Sequence, residues 1–132
     1  ACAPLSAARR QDSHLKAMQD ALDTQSAPAL SDAGFCAADV AFHRALVDAA
    51  GNPVLSYQIA GAVEAMQPLM NMITFTAWSR DAIVARHREI ATAMTTRNAA
   101  AVAAGLTLLE QETQTLARTV FARRTKQPNA AP

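Results

Sequence analysis

Glycine, aromatic residues and long hydrophobic runs are all scarce in this sequence. Of its 132 residues only 4 are glycine and 5% are aromatic, although hydrophobic residues, largely alanine, reach 51%. Such a composition favours helices, and no alternating apolar segment is long enough to predict a sheet. The apolar runs are too short or too interrupted to span a membrane. A net charge of +1 excludes a broad basic surface for nucleic acid.

Cysteine is also rare, and the chain begins in an unusual way. The spacing of Cys2 and Cys36 fits neither a metal motif nor a disulfide framework, which favours a reduced, cytoplasmic setting. Residues 1–12 lack the features of a signal peptide. Because helix-forming sequence starts at once, without an initiator Met, we expect a fragment of a longer protein. We predict one domain over residues 1–125 and a frayed polar tail over 126–132.

The spacing of apolar residues predicts an all-α fold, an antiparallel bundle of about six helices. Capping and breaking residues set the boundaries. The first helix ends near residue 10, the second is capped by Asp12 or Ser13, and the third runs from a cap at Ser31 or Asp32 to Ala50. Gly51, Asn52 and Pro53 separate it from a fourth helix that extends to about Ala77 with a bend at Pro68. A fifth helix starts at Ser79, and Asn98 caps a sixth that runs to about Arg124.

Two polar residues interrupt the apolar third helix. Asp39 and His43 are four positions apart, so their side chains leave the same face. His87 on the fifth helix also follows helical spacing into the interior. Two imidazoles and a carboxylate suit a divalent cation such as Zn²⁺, Ni²⁺, Mn²⁺ or Fe²⁺. A hydrogen-bonded core pair is the more common explanation of D-x-x-x-H spacing on a helix, and the spacing alone leaves both interpretations open.

The wider pattern resembles a known family. The run DVAFHRALVDAAGNPVL, the HREIATAM segment and the Asn98-capped helix resemble the FCD domain. That domain is the C-terminal effector-binding domain of the FadR subfamily of GntR-type transcription regulators, and the resemblance extends from LSAARR to about Arg118. It implies a helical bundle around a central ligand cavity, which often holds a divalent metal and binds a small carboxylate metabolite. It also implies a homodimer that binds DNA through an N-terminal winged helix-turn-helix, which this sequence does not include.

The resemblance further implies the ligands of the metal. Carried over by position, three are Asp39, His43 and His87. The fourth, a His, should lie 22 residues after His87, where this sequence has Leu109. Leucine cannot bind a cation, although Glu112 or Thr113, about one turn further on, are candidate substitutes. Either three ligands suffice, as in open sites, or the metal is lost and Asp39 pairs with a protonated His43 or His87.

Other residues are candidates for contact with the effector. Arg80 could hold a carboxylate, although a salt bridge within the protein explains it as well. Gln67 and Asn71 could supply neutral hydrogen bonds. Core packing is the alternative for the methionines, but beside Leu109 they would favour a ligand with an apolar portion. The apolar residues in this prediction are Met66, Met70, Met94 and Leu109.

The resemblance is to a sensor domain and therefore implies a ligand-sensing function rather than an enzyme. The sequence also contains no Gly-rich phosphate loop, no recognisable nucleophile and no second catalytic group beside the Asp/His/His set. The predicted function is to bind a small organic acid, with or without a metal, and so to control DNA binding by the dimer. Two alternatives remain: a metal-dependent enzyme built on the Asp/His/His set, and a degenerate module that serves only dimerisation.

Overall fold

A computed structural model of the protein describes residues 2–62, 65 and 80–125, which contain six helices and no strand. The helices are α1 (Cys2–Arg9), α2 (Asp12–Gln25), α3 (Asp32–Asp48), α4 (helical at 53–62), α5 (Arg80–Thr95) and α6 (Ala99–Thr125). The predicted all-α class is therefore confirmed. Four predictions lie outside the described residues: the end of the fourth helix, its bend at Pro68, the helix start at Ser79 and the frayed tail. Among the helices that are described, none has the length and apolarity needed to cross a bilayer.

Local capping explains where several helices begin and end. The Ser31 hydroxyl accepts a hydrogen bond from the Gly34 amide at 3.1 Å, as predicted for an N-cap. Gly51 has φ = +61°, a left-handed conformation that glycine adopts without strain after a helix. The prediction for α2 was wrong, because Gln11 rather than Asp12 or Ser13 is the N-cap. His14 explains the difference, since its Nδ1 accepts from the Gln11 amide at 3.0 Å.

Asn98 caps the N-terminus of α6, as the sequence predicts. The Oδ1 atom of Asn98 accepts a hydrogen bond from the Ala101 amide at 3.0 Å. We expect Asn98→Ala to lower the free energy of unfolding by about 1 kcal/mol, because it leaves a helix-terminal donor without this acceptor. Urea denaturation would measure the loss, with Asn98→Asp as the control that keeps the acceptor. Equal stability of the alanine and aspartate variants would contradict the assignment.

The core lies where α2 packs against both α3 and α5 and where α6 packs against both α1 and α5. Its largest fully buried apolar side chains are Phe35, Phe42, Met18, Ile90, Met94 and Val102. Met18 and Leu22 are buried on α2, and Leu15 packs against the core, so the apolar face of this helix points inward. Since α2 lies against α3 and α5 together, polar side chains from all three helices can meet around its C-terminal end.

Two contacts set the register of the antiparallel helices α5 and α6. A Cβ added to Gly105 would lie 2.7 Å from Ile90 Cγ1, so the absence of a side chain at Gly105 permits this close approach. Further along, Arg86 donates to Glu112 at 2.8 Å. The segment of α6 between these two contacts runs alongside the part of α5 that contains His87, and Leu109 lies within that segment.

Arginine side chains join α1 to the C-terminal ends of two other helices. Arg9 donates to the Ala50 carbonyl at 3.0 Å, just beyond α3. Arg10 donates to the carbonyls of Met94 and Thr95 in the last turn of α5, at 2.9 and 2.7 Å. Arg97, which lies between α5 and α6, donates to the Ala8 carbonyl in the last turn of α1 at 2.6 Å. These bonds satisfy helix-terminal carbonyls and tie α1 to the helices that carry Asp39, His43 and His87.

Candidate metal centre

Asp39, His43 and His87 come together between α3 and α5. One ligand atom from each side chain lies within 4.8 Å of the other two, close enough for the three to hold a metal ion. His87 Nε2 is 3.6 Å from Asp39 Oδ1, and His43 Nε2 is 4.0 Å from Asp39 Oδ2. The side chains of Asp39 and His43 are 25% and 28% exposed, whereas that of His87 is fully buried. Helical spacing places the first two side by side, and the packing of α5 brings His87 to them.

Aromatic packing holds the His87 ring. Phe42, itself fully buried, stacks on it with 4.1 Å between ring centroids and 11° between planes. The His43 ring meets His87 edge-on, with centroids 5.1 Å apart and planes at 85°. Stacking against a buried ring restricts rotation about the side-chain bonds of His87 and so fixes the plane of its imidazole.

Gln25, the last residue of α2, is a further member of the cluster that the sequence analysis missed. Its side-chain Oε1 accepts a hydrogen bond from His87 Nδ1 at 2.9 Å, and its Nε2 donates to Asp39 Oδ1 at 3.5 Å. Gln25 is only 4% exposed. A signal was present, because Gln25 continues the helical face of Met18 and Leu22 and places an amide where the pattern calls for an apolar residue.

The polar atoms of His87 fit a metal ligand. Its Nδ1 donates to Gln25, and its buried Nε2 has no hydrogen-bond partner among the described residues. Buried polar atoms normally have a partner, so a ring nitrogen that finds none among the described residues and lies beside a carboxylate is available to bind a cation. Metal-bound histidines characteristically donate their other ring nitrogen to an oxygen, as His87 does to Gln25.

The protonation equilibria agree with this geometry. Burial, together with the nearby charge of His43, lowers the pKa of His87 to about 3 and keeps the imidazole neutral at pH 7. Burial raises the pKa of Asp39, although His43 and the Gln25 hydrogen bond oppose that rise. A neutral imidazole with a free lone pair and a desolvated carboxylate both gain from a cation placed between them.

The remaining predicted residues lie elsewhere or outside the described part of the chain. Arg80 donates to the Leu30 carbonyl at 2.7 Å, pairs with Asp32 and stacks on the Phe35 ring. It also borders a surface cleft of about 460 Å³, lined by Gln25, Ser26, Ala27, Pro28, Arg80, Asp81, Val84 and Arg88. Of the three residues that could hold a metal, none lines this cleft. Met94 is buried in the core. Gln67, Asn71, Met66 and Met70 lie outside the described residues.

Among the described His, Cys, Asp and Glu side chains, none on α6 belongs to the cluster that could hold a metal. Leu109 is 9% exposed, and its carbonyl accepts from the Thr113 hydroxyl at 2.8 Å. Glu112 forms an ion pair with Arg86, which raises the pKa of Arg86. The suggestion that Glu112 substitutes for the missing His stays a prediction, and in the structure its carboxylate pairs with the guanidinium of Arg86. Among the described side chains, the cluster has three possible ligands.

Residues 1–111 match the family model described as the FCD domain. A comparison with curated proteins finds no match.

Proposed function

The chain belongs to the FCD family, the effector-binding domain of GntR-type transcription regulators, and from that premise we propose that it senses a small organic acid with the help of a divalent metal. The residues that would hold the metal are Asp39, His43 and His87. The effector's carboxylate would bind beside them, and its binding would control DNA binding by a homodimer in the bacterial cytoplasm.

The orphaned Nε2 atom of His87 carries this proposal. A histidine kept only for packing would find a hydrogen-bond partner for both ring nitrogens or would be replaced by an apolar residue. Here one ring nitrogen is bonded to Gln25, and the other is buried 3.6 Å from Asp39 Oδ1 without a hydrogen bond from the described residues. Two imidazoles and a carboxylate suit Zn²⁺, Ni²⁺, Mn²⁺ or Fe²⁺.

Three protein ligands leave coordination positions for the effector. When bound, the cation would supply Lewis-acid positions to which a carboxylate oxygen can attach. Asp39 would balance part of the positive charge, while His43 and His87 fix the direction from which the effector approaches. Leu109, which takes the place of the fourth ligand of the family, would make that side of the site apolar and so favour an acid with an apolar portion.

Control of DNA binding would follow from linkage between the site and α1. In the family, the DNA-binding domain precedes the effector domain, so α1 is the described helix nearest to it in sequence. Arg9 and Arg10 hold α1 to the C-terminal ends of α3 and α5, the helices that carry the three site residues. An effector that binds one arrangement of α3 and α5 more tightly than another would therefore also shift the position of α1.

The first test is metal binding by the purified domain. We expect chelator-treated protein to bind one Zn²⁺ or Co²⁺ ion, Asp39→Asn to weaken the affinity about tenfold or more, and Leu109→His to strengthen it about 10- to 100-fold. His14→Gln is the matched control, because His14 lies on α2 and contacts the Gln11 amide rather than the site. Calorimetric titration would measure these affinities. Binding that is unchanged in Asp39→Asn would overturn the proposed site.

The second test separates a sensor from the two alternatives. Metal-loaded protein is heated with a panel of small carboxylic acids, and each mixture is then analysed for consumption of the acid. A sensor gains thermal stability with an acid that is recovered unchanged. Turnover of the acid would favour a metal-dependent enzyme, and the absence of any thermal response would favour a dimerisation module.

A further inference from the structure

We infer that Gln25 is a positioning residue that selects the tautomer of His87, so that the Nε2 lone pair faces Asp39 and His43. The part of this inference that concerns metal affinity rests on the proposed function. The part that concerns the tautomer does not.

The stack on Phe42 cannot make this selection. Stacking fixes the plane of the imidazole, but both neutral tautomers have the same plane and nearly the same shape. If His87 carried its proton on Nε2, that N–H would lie 3.6 Å from Asp39 Oδ1, and the negative charge of the carboxylate would attract it. The proton would then occupy the position where the lone pair must be to bind a cation.

Gln25 opposes that outcome through its Oε1 atom. This oxygen lies 2.9 Å from His87 Nδ1, and an amide oxygen can only accept. The Nδ1–H tautomer satisfies it, whereas the Nε2–H tautomer would place two acceptors against each other in a buried site. Because Gln25 is 4% exposed, water does not readily replace the lost bond.

Asp39 in turn orients the amide of Gln25. The carboxylate Oδ1 accepts from the Gln25 NH₂ group at 3.5 Å, so the amide oxygen is left to face His87. The negative charge of Asp39 thus fixes Gln25, and Gln25 fixes the proton of His87 on the ring nitrogen that points away from Asp39. Three side chains from α2, α3 and α5 prepare the lone pair before any ligand arrives.

The experiment compares substitutions at Gln25 with one at Gln19. Gln19 lies on the same helix and also donates to an aspartate, Asp23, at 2.8 Å, but it is exposed. Nitrogen-15 NMR of the histidine rings in metal-free protein at pH 7 identifies the tautomer of His87. We expect the Nδ1–H form in the native protein and in Gln19→Leu, and the Nε2–H form in Gln25→Leu. Gln25→Glu should restore the Nδ1–H form, because a carboxylate also accepts.

Affinity for Zn²⁺ provides the second measurement. We expect Gln25→Leu to bind Zn²⁺ about 10- to 100-fold more weakly than the native protein, and Gln19→Leu to bind it equally well. If Gln25→Leu does not fold, as judged by circular dichroism, Gln25→Met keeps the length of the side chain and serves instead. If His87 keeps the Nδ1–H form in Gln25→Leu or Gln25→Met, the inference is wrong. A changed tautomer without Zn²⁺ binding by any of the proteins would support the role of Gln25 and overturn the proposed function.

Discussion

Replacing Phe42 by alanine is expected to lower the free energy of unfolding by about 3–5 kcal/mol and to weaken metal binding as well. Phe42 is 0% exposed, so the substitution leaves a cavity in the core and removes the ring that stacks on His87. Without the stack the imidazole can rotate, and its lone pair then spends less time directed at Asp39 and His43. Urea denaturation measures the first effect, and titration with Zn²⁺ measures the second.

Phe35 provides a matched control for the cost of the cavity. It lies seven positions earlier on the same face of α3 and is 1% exposed, but it packs beneath the Arg80 guanidinium. We expect Phe35→Ala to lose a similar amount of stability and to keep the native Zn²⁺ affinity. If both variants lose affinity to the same degree, the effect of Phe42 comes from general loosening of the core rather than from its contact with His87. Phe42→Leu, with a smaller cavity, extends the comparison if Phe42→Ala does not fold.

The sequence alone predicts the parts of this molecule that depend on local spacing. Asp39 and His43 share a face because four residues nearly complete one helical turn, and the structure places their side chains next to each other. Ser31, Gly51 and Asn98 act at the predicted helix ends because capping depends on atoms within three or four residues. For His87, helical spacing predicts only that the side chain faces the interior. That it shares a metal site with Asp39 and His43 is what the resemblance to the FCD family implies.

Contacts between distant segments could not be predicted in this way. Gln25 and His87 are separated by 62 residues, and nothing in either local sequence specifies that one bonds to the other. The same holds for Arg86 and Glu112, whose side chains pair although 26 residues separate them. Such pairs depend on how helices pack, and helix packing has several solutions for one apolar pattern. A polar residue within an apolar helical face, as at Gln25, is the local signal that a distant polar partner exists.

Acidification provides the last prediction, that metal-free protein loses about 3 kcal/mol of stability between pH 7 and pH 4 through His87 alone. The pKa of His87 is about 3 in the folded protein, compared with 6.5 for an unperturbed histidine. In the unfolded chain the imidazole therefore takes up a proton below pH 6.5, while in the folded protein it stays neutral until about pH 3. Protons thus favour the unfolded state across this interval. Between these two pKa values the free energy of unfolding falls by about 1.4 kcal/mol for each pH unit of acidification. The stability that His87 contributes is fully present above pH 6.5.

Asp39 acts in the opposite direction, so the contribution of His87 must be isolated. Burial raises the pKa of Asp39, and the folded state therefore holds that proton more tightly than the unfolded chain and gains stability as the pH falls. Comparison with His87→Gln, which cannot titrate at this position, removes the effects of Asp39 and of the exposed acids common to both proteins. Urea denaturation in the presence of a chelator should then show the variant losing less stability than the native protein between pH 7 and pH 4. Equal losses of stability in the two proteins would mean that His87 is protonated in the folded state at pH 4 and that its environment is less desolvated than its burial indicates.

A bound cation competes with protons for the same lone pair of His87. Adding Zn²⁺ to the native protein should therefore increase its stability far more at pH 7 than at pH 4. The increase should be much smaller in His87→Gln.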